Sequence, residues 1–473
     1  MTTTILRFLW VAMLVFVAAQ RLSAAERAPN IVFIMADDLG YAHLGCYGQT
    51  KIRTPNLDRM AAEGLRCTDV YAGCCVCAPS RSVLMTGLHG GHTPVRGNSG
   101  GIPLADDDVT VAEVLKPAGY ATGLFGKWGL GEHGTPGVPY RQGFDEFFGY
   151  LHQIHAHFYY PEYLWLNDQR YPLPGNADGG RGQYTHDEIV AQALDFVRRH
   201  RDEPFFLYVP FAVPHYELLV PEESLAEYAG KFPETPYKGR RKKTGYPHDY
   251  AQQAMPRATT AAIITHMDRS VAKLFKQLDE LGLDENTIVF FTSDNGATYG
   301  PSDPDFFNAC GPFRGTKGGL YEGGIRTPMI VRWPGHVDAG SVSSEPWYFA
   351  DVLPTLAELA GAKVPQDIDG VSMLPTLIGE KAAGHKQAPH KYLYWEDGPD
   401  RAVRVGGWKA VRQEQNDNRI ELYDLTADVG ESNDLAGEHP EIAARLGKLL
   451  KEAHRPPRPQ IEPEPPAGKK KFR

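Results

Sequence analysis

Two kinds of hydrophobic pattern alternate along most of this chain. Asn30-Ile31-Val32-Phe33-Ile34-Met35, Tyr120 to Phe125, Pro204 to Val209 and Thr287 to Phe291 are short, near-continuous apolar runs. Such runs suit strands buried on both faces of a parallel sheet. Between them lie stretches with helical spacing. Thr54 to Gly64 carries Leu57, Met60 and Ala61 behind Pro55 and stops at glycine. Val109 to Lys116 predicts a helix ended by Pro117 and Gly119, and Asp187 to Arg199 another. Ala261 to Leu281, with Ile264, Met267, Val271, Leu274, Phe275 and Leu278 on one stripe, predicts a long one stopped by Gly282. Arg326 to Trp333 adds a strand and Ala350 to Ala360 a helix. The alternation predicts an α/β fold: a large, mostly parallel sheet sandwiched by helices.

The pattern changes near residue 385. Lys391 to Trp395, Arg401 to Val405, Trp408 to Arg412 and Ile420 to Tyr423 are short alternating runs between turn residues, and Pro440 to Ala453 has helical spacing. A small antiparallel sheet with one helix packed on it follows. The expected organisation is a segment 1–25, a main α/β domain 26–384, a C-terminal subdomain 385–454 and a proline-rich, charged tail 455–473 with too little to bury for order.

Two stretches resist this reading. Residues 130–185 are rich in Gly, Pro, Tyr and His, with His152, His155, His157, Tyr159, Tyr160, Tyr163 and Trp165, and show little periodicity. They suit either an aromatic insertion over a cleft, able to stack on sugar faces, or a packed loop. Residues 228–256 are polar and include Lys238, Arg240, Arg241, Lys242 and Lys243, either a solvated face or a grip on an anionic polymer.

The apolar runs share one feature. Each delivers polar groups just past its carboxyl end: Asp37 with Asp38, Lys127, His215, and Asp294 with Asn295. Sites in doubly wound sheets form at that edge. Asp37, Asp38, Asp294 and Asn295 are hard oxygen donors, which favour Ca²⁺ or Mg²⁺ over zinc. Taken alone, Asp37-Asp38 also suits a solvated turn. Arg81, Lys127 and Lys317 bring positive charge for a tetrahedral oxyanion, and His215 is a plausible acid for a leaving group.

Composition narrows the class. Across 473 residues the net charge is -9, so no global attraction draws nucleic acid or another polyanion. Arg7, the uncharged apolar run Phe8 to Ala19 and Ser23-Ala24-Ala25 form a signal-peptide pattern, cleaved near Ala25, in a chain destined for the periplasm or beyond. The apolar run is too short for a stable membrane anchor. Six cysteines in an exported chain (Cys46, Cys67, Cys74, Cys75, Cys77 and Cys310) invite disulfides of undetermined pairing.

Three of those cysteines crowd into Cys74-Cys75-Val76-Cys77-Ala78-Pro79-Ser80-Arg81. Pro79 suits a first helical position, so Cys77 is expected just before a helix, where free N–H groups favour an anion. A buried, disulfide-bonded cysteine fits the same pattern. The Cys-x-Pro-x-Arg core resembles the signature of the type I sulfatase family. So do Asn30 to Asp38, Thr54 to Asp58, Gly119 to Trp128, Thr292 to Gly296, Tyr321 to Arg326, and Trp408-Lys409 through Glu421 to Leu425, in order. The match is closest to exported bacterial enzymes similar to arylsulfatase A and the hexosamine-6-sulfatases.

The resemblance implies an alkaline phosphatase-like fold and sulfate-ester hydrolysis. It implies that a formylglycine-generating enzyme oxidises Cys77 to formylglycine, whose hydrated aldehyde attacks sulfur. Asp37, Asp38, Asp294, Asn295 and residue 77 match the family's Ca²⁺ ligands. Arg81 matches the residue that steadies the formylglycine. Lys127, His215 and Lys317 match sulfate-binding residues, and His215 also protonates the departing alcohol. One position departs: the family's Gly-Lys-Trp-His-Leu-Gly reads Gly126-Lys127-Trp128-Gly129-Leu130-Gly131 here. His133, His155 and His157 are candidate substitutes for the missing histidine, and His155 and His157 are candidate substrate contacts. A sulfated carbohydrate or aryl ester is the expected substrate. A phosphatase or phosphonate hydrolase of the same fold, and a sulfated-glycan binder impaired at Gly129, are the alternatives.

Overall fold

The computed structural model describes residues 28–98, 103–240, 249–417 and 419–459. The segment 1–25, Arg241 to Lys243 of the basic run, and the tail beyond 459 lie outside the described residues.

The strand Asn30–Ala36 sits at the centre of a ten-stranded sheet. Thr287–Ser293 pairs with it in parallel on one side and Phe205–Pro210 on the other. Ala121–Lys127 and Glu146–Tyr150 extend the parallel block. Because side chains alternate across a strand, each central strand feeds two cores. Ile31, Phe33 and Met35 join Tyr208, Phe290 and the helix Cys77–Thr86 on one face. Val32, Ile34 and Ala36 meet Leu207, Phe291 and the helices Thr185–Arg199 and Pro256–Glu280 on the other. Each fully buried side chain of this size contributes about 1.5–3 kcal/mol. Burial on both faces explains why these runs carry no alternation.

The sheet's flanks bring in antiparallel pairs. Met329–Arg332 runs against Thr287–Ser293 and against Leu65–Cys67. At the opposite flank, Glu146–Tyr150, Tyr163–Leu166 and Gln169–Pro172 continue the sheet. Thus the aperiodic stretch 130–185 is neither a plain loop nor only a cleft cover, for it supplies three strands. The outer hairpin mixes buried, half-buried and exposed positions without a clean alternation, which left too weak a hydrophobic signal.

Leu393–Asp397, Asp400–Val405, Trp408–Arg412 and Ile420–Asp424 form the expected antiparallel sheet. One face packs Tyr394, Val403, Ala410 and Leu422 against Leu446 and Leu450 of the helix Pro440–Glu452. The other face, with Trp395, Ala402, Val411 and Tyr423, joins the main core. Arg455 to Pro459 at the start of the tail are placed, and the Arg455 N–H donates to the Gly91 carbonyl at 3.1 Å. All six cysteines are free, correcting the disulfide expectation. The Cys74 thiol instead donates to the Glu396 carbonyl at 3.3 Å and Cys75 to the Asp397 carboxylate at 3.7 Å. Their thiols are thus engaged by the C-terminal sheet. No helix among the described residues is long and apolar enough to cross a membrane.

Candidate active site

The carboxyl edge of the central strands gathers the polar groups predicted for it. Asp37 and Asp38 leave Asn30–Ala36 fully buried. Asp38 adopts φ 68, a left-handed turn that aspartate tolerates better than most residues. Its N–H donates to Asp294 Oδ1 at 3.1 Å, tying the ends of two neighbouring strands together.

Opposite them begins the helix Cys77–Thr86, capped by Val76 in extended conformation. Cys77 is therefore the first helical residue rather than the one before it, and Pro79 stands third. Pro79 remains in the first turn, where its missing N–H costs no helical bond. The whole helix is buried, so its start points into the protein. Cys77 Sγ lies 3.3 Å from Asp37 Oδ1, 3.7 Å from Asp38 Oδ1 and 3.2 Å from Lys317 Nζ. Burial first, then Asp294 and Asp37, push the thiol well above its usual pKa, so the unmodified side chain keeps its proton.

Arg81, one turn along, is fully buried. Its Nε and Nη2 donate to Asp294 Oδ2 at 3.0 and 2.7 Å, and Nη1 donates to the Lys127 carbonyl at 2.6 Å. Burial opposes its charge, but Asp294 and Asp37 outweigh this and raise its pKa. Lys127 is the last residue of Ala121–Lys127 rather than past it, and its Nζ donates to Asp37 Oδ2 at 2.8 Å. Lys317 arrives from a loop and donates to both Asp38 oxygens at 2.7 Å. His215 Nε2 lies 3.2 Å from Lys317 Nζ and 3.4 Å from Asp38 Oδ2. Three carboxylates, two ammonium groups and one guanidinium thus converge, with Cys77 among them.

The donor set fits a hard cation. Ligand atoms of Asp37, Asp38, Cys77 and His215 lie within 4.8 Å of one another. Asn295 Nδ2 donates to Asp38 Oδ1 at 2.7 Å, while its Oδ1 is buried with no hydrogen-bond partner among the described residues. An amide oxygen left without a partner, on a side chain bonded to Asp38, is what an oxygen-seeking cation uses.

The aromatic and histidine candidates separate. His157 stacks on His215 with ring centroids 4.0 Å apart and joins the site's wall. His155 is buried against Tyr150 and Tyr163, and burial drops its pKa to about 3. His133 stacks on Trp165. The residue facing Gly129 is one the sequence did not single out. A Cβ at Gly129 would lie 2.6 Å from Gln153 Oε1, and Gly129 has φ +80. Gln153 is buried, its Oε1 has no partner among the described residues, and its Nε2 donates to Asn98 Oδ1 at 3.0 Å. That same oxygen accepts from the N–H of Ala78, next to Cys77, at 3.0 Å. Ser80 was missed as well; its hydroxyl donates to the Asp294 carbonyl at 2.5 Å. No periodic or charge signal marks a neutral amide inside an aperiodic stretch.

Comparison with known proteins agrees with this geometry. A family model described as Sulfatase matches residues 29–362, and one described as N-sulphoglucosamine sulphohydrolase, C-terminal, matches 316–455. Arylsulfatase A of Homo sapiens is 34% identical, over 90% of this chain and 88% of its own length. The N-acetylgalactosamine-6-O-sulfatase of Bacteroides thetaiotaomicron is 30% identical, over 90% and 93%. Among solved structures, Ps i-CgsB in complex with k-i-k-neocarrahexaose has a TM-score of 0.73 at 27% identity, covering 90% of this chain and 92% of its own. The phosphonate monoester hydrolase of Agrobacterium radiobacter shares the fold at 22% identity and a TM-score of 0.62, covering 90% and 94%. With its strand-end carboxylates, buried helix start and these matches in hand, the chain is placed in the sulfatase family, hydrolases that act on sulfate esters.

Proposed function

We propose that this protein removes sulfate from a sulfated carbohydrate, with residue 77 as nucleophile after oxidation of Cys77 to formylglycine. The observation that carries the reading is the position of Cys77. It stands at a buried helix start, within hydrogen-bonding distance of Asp37 and Lys317. The oxidised side chain supplies a hydrated aldehyde hydroxyl, a nucleophile that splits one displacement into two easier ones. Asp37, Asp38, Asp294, Asn295 and residue 77 would hold the cation, Ca²⁺ by preference with Mg²⁺ as the alternative, and it would supply charge that screens the sulfate oxygens.

The remaining chemistry belongs to the chain. Asp37, Asp38 and Asp294 already balance Arg81, Lys127 and Lys317, so an entering anionic ester needs further positive charge, and the cation site meets that need. Arg81 fixes Asp294 through two hydrogen bonds and keeps that carboxylate in place. Lys127 and Lys317 orient the sulfate oxygens by charge. His215, with Nε2 3.2 Å from Lys317 Nζ, gives its proton to the departing alcohol. Gln153 takes up the space that a side chain at 129 would need. Maturation requires a formylglycine-generating enzyme, and the signal-peptide pattern makes export the matching destination.

The relatives' names, arylsulfatase A and N-acetylgalactosamine-6-O-sulfatase, support the substrate class. The test is sulfate release from a panel of sulfated saccharides and aryl sulfates, run beside phosphate and phosphonate esters of the same alcohols. Release of sulfate that disappears in Cys77→Ala is the expected result. Preferential cleavage of phosphorus esters, or tight glycan binding without turnover, would overturn the reading.

A further inference from the structure

Two amide side chains outside the ion-pair network hold the first turn of the helix Cys77–Thr86. The N–H groups of a helix's first turn have no partner within the helix. That of Ala78 donates to Asn98 Oδ1 at 3.0 Å. The same oxygen accepts from Gln153 Nε2 at 3.0 Å. A backbone N–H can only donate, so it fixes which end of the Asn98 amide is oxygen. That oxygen in turn requires Gln153 to present its nitrogen. The outcome leaves Gln153 Oε1 buried without a partner among the described residues, 2.6 Å from where a Cβ at Gly129 would stand. An unpaired buried acceptor is destabilising. Gln153, at 1% exposure, keeps this orientation because its other end holds Asn98.

Both amides stand on braced backbone. Asn98 follows a segment that returns along the helix. Thr93 Oγ1 and the Val95 N–H donate to Ser82 Oγ at 2.7 and 3.3 Å, and Arg96 Nη1 pairs with Glu396 of the C-terminal sheet at 3.1 Å. Gln153 follows the strand Glu146–Tyr150. Beyond that strand, the Trp128 N–H donates to the Tyr150 carbonyl at 2.9 Å and the Gly129 N–H to the Leu151 carbonyl at 3.1 Å. The bonds Gln153–Asn98–Ala78 therefore connect the strand ends around Lys127 to the helix that carries residue 77.

We propose that Asn98 and Gln153 are positioning residues for residue 77. The proposal rests on the reading above, in which residue 77 is the nucleophile. The peptide unit joining residues 77 and 78 is planar. A bond to its N–H fixes the plane from which side chain 77 leaves, and so limits the swing of the attacking oxygen relative to the sulfate that Lys127 orients. Asn98 makes that bond, and Gln153 holds Asn98 in the orientation that makes it. Neither group titrates, and both act through the Ala78 N–H. Alignment of this kind is felt in kcat, where a misplacement of about 1 Å can cost ~10²-fold.

The experiment compares wild type, Asn98→Leu, Asn98→Asp, Gln153→Met and the double variant Asn98→Leu with Gln153→Met, on the sulfate ester that wild type cleaves fastest. Leu and Met keep the shape and remove the hydrogen bonds, whereas Asp keeps the acceptor. Asn98→Leu should lower kcat per folded molecule at least ~10-fold, with KM within about twofold of wild type. Gln153→Met should lower kcat by less, and the double variant should be no slower than Asn98→Leu, because Gln153 acts through Asn98. Asn98→Asp should recover much of the lost kcat at a higher KM, its added charge repelling the ester. Deuterium uptake at the Ala78 amide should rise in Asn98→Leu and stay near wild type in Asn98→Asp. An unchanged kcat in folded Asn98→Leu, or losses that multiply in the double variant, would overturn the pair. Should Asn98→Leu fail to fold, Gln153→Met decides: a lower kcat in folded protein supports the pair, and an unchanged one overturns it. A wild type that cleaves no sulfate ester sinks the hydrolase reading and the pair with it. An active wild type with unaffected variants sinks the pair alone.

Discussion

Two buried clusters of charge among the described residues invite comparison, and the proposed chemistry falls to one of them. At the carboxyl edge of the central strands, three carboxylates face Arg81, Lys127 and Lys317 around Cys77. Where the C-terminal sheet meets the main body, Lys409 is equally buried, with its ammonium 2.9 Å from Glu322 and 2.8 Å from Glu431. The Tyr71 hydroxyl donates to Glu322 at 2.7 Å, and the Glu322 N–H donates to Glu431 at 2.6 Å. Burial and ion pairing are common to both. What separates them is a thiol at a helix start and an amide oxygen, that of Asn295, with no hydrogen-bond partner among the described residues. Lys409 instead ties together elements distant in sequence, the role of a structural ion pair. Strong electrostatics alone therefore did not identify the site; the delivery of its groups by strand ends did.

The comparison breaks most sharply at residue 77. Cys77→Ala should lower sulfate release by at least ~10³-fold, since a lost nucleophile leaves only binding and charge stabilisation. Its thermal melting should stay close to wild type, because the change removes one sulfur from a pocket that keeps its ion pairs. Lys409→Met should do the reverse. Leaving Glu431 buried without its cation, and Glu322 with Arg326 alone beside it, costs about 3–5 kcal/mol, read by denaturant unfolding, while kcat per folded molecule holds. A Lys409→Met protein that is stable but inactive would erase the distinction.

Gly129 sharpens the boundary of the site. Restoring the family's histidine there puts a side chain at φ +80 and against Gln153 Oε1. Gly129→His alone should cost about 1–2 kcal/mol from the left-handed backbone and reduce turnover. Adding Gln153→Ala should recover part of both losses. Recovery by the single variant would show that Gln153 moves freely and does not stand in for the histidine.

The smallest effect concerns a third pair, half-buried His390 with buried Asp351, 2.9 Å apart. Burial lowers the histidine pKa, but Asp351 outweighs it and the net shift is upward. A raised folded pKa means the pair's contribution is complete below the ordinary histidine range and fades as pH rises through the folded value. Melting temperatures of wild type and His390→Gln should therefore converge as pH rises, without altering the chemistry at residue 77. Divergence would reverse the assigned sign.

Much of this was legible before any coordinates. Runs such as Ile31 to Met35 and Thr287 to Phe291 announce strands buried on both faces, and the polar residues behind them fall at one edge because parallel strands end together. Asp37, Asp38, Lys127, His215 and Asp294 all converge as that logic requires, and Lys317 joins them from a loop. The edge hairpin Tyr163–Leu166 and Gln169–Pro172 was not legible, since half-exposed strands mix polar and aromatic residues without a clean period. Nor was Gln153, whose place beside Gly129 depends on where a long aperiodic segment returns to the sheet. Disulfides were expected from cysteine number and export, but Cys74 and Cys75 point to backbone and carboxylate partners in the C-terminal sheet.

The central claim is that residue 77 reacts as formylglycine, and the mass of the peptide spanning it tests this most directly. In protein from its native host, fractionated by sulfate-releasing activity, the aldehyde form should rise in proportion to activity. Full activity in protein whose residue 77 is entirely thiol would contradict the account.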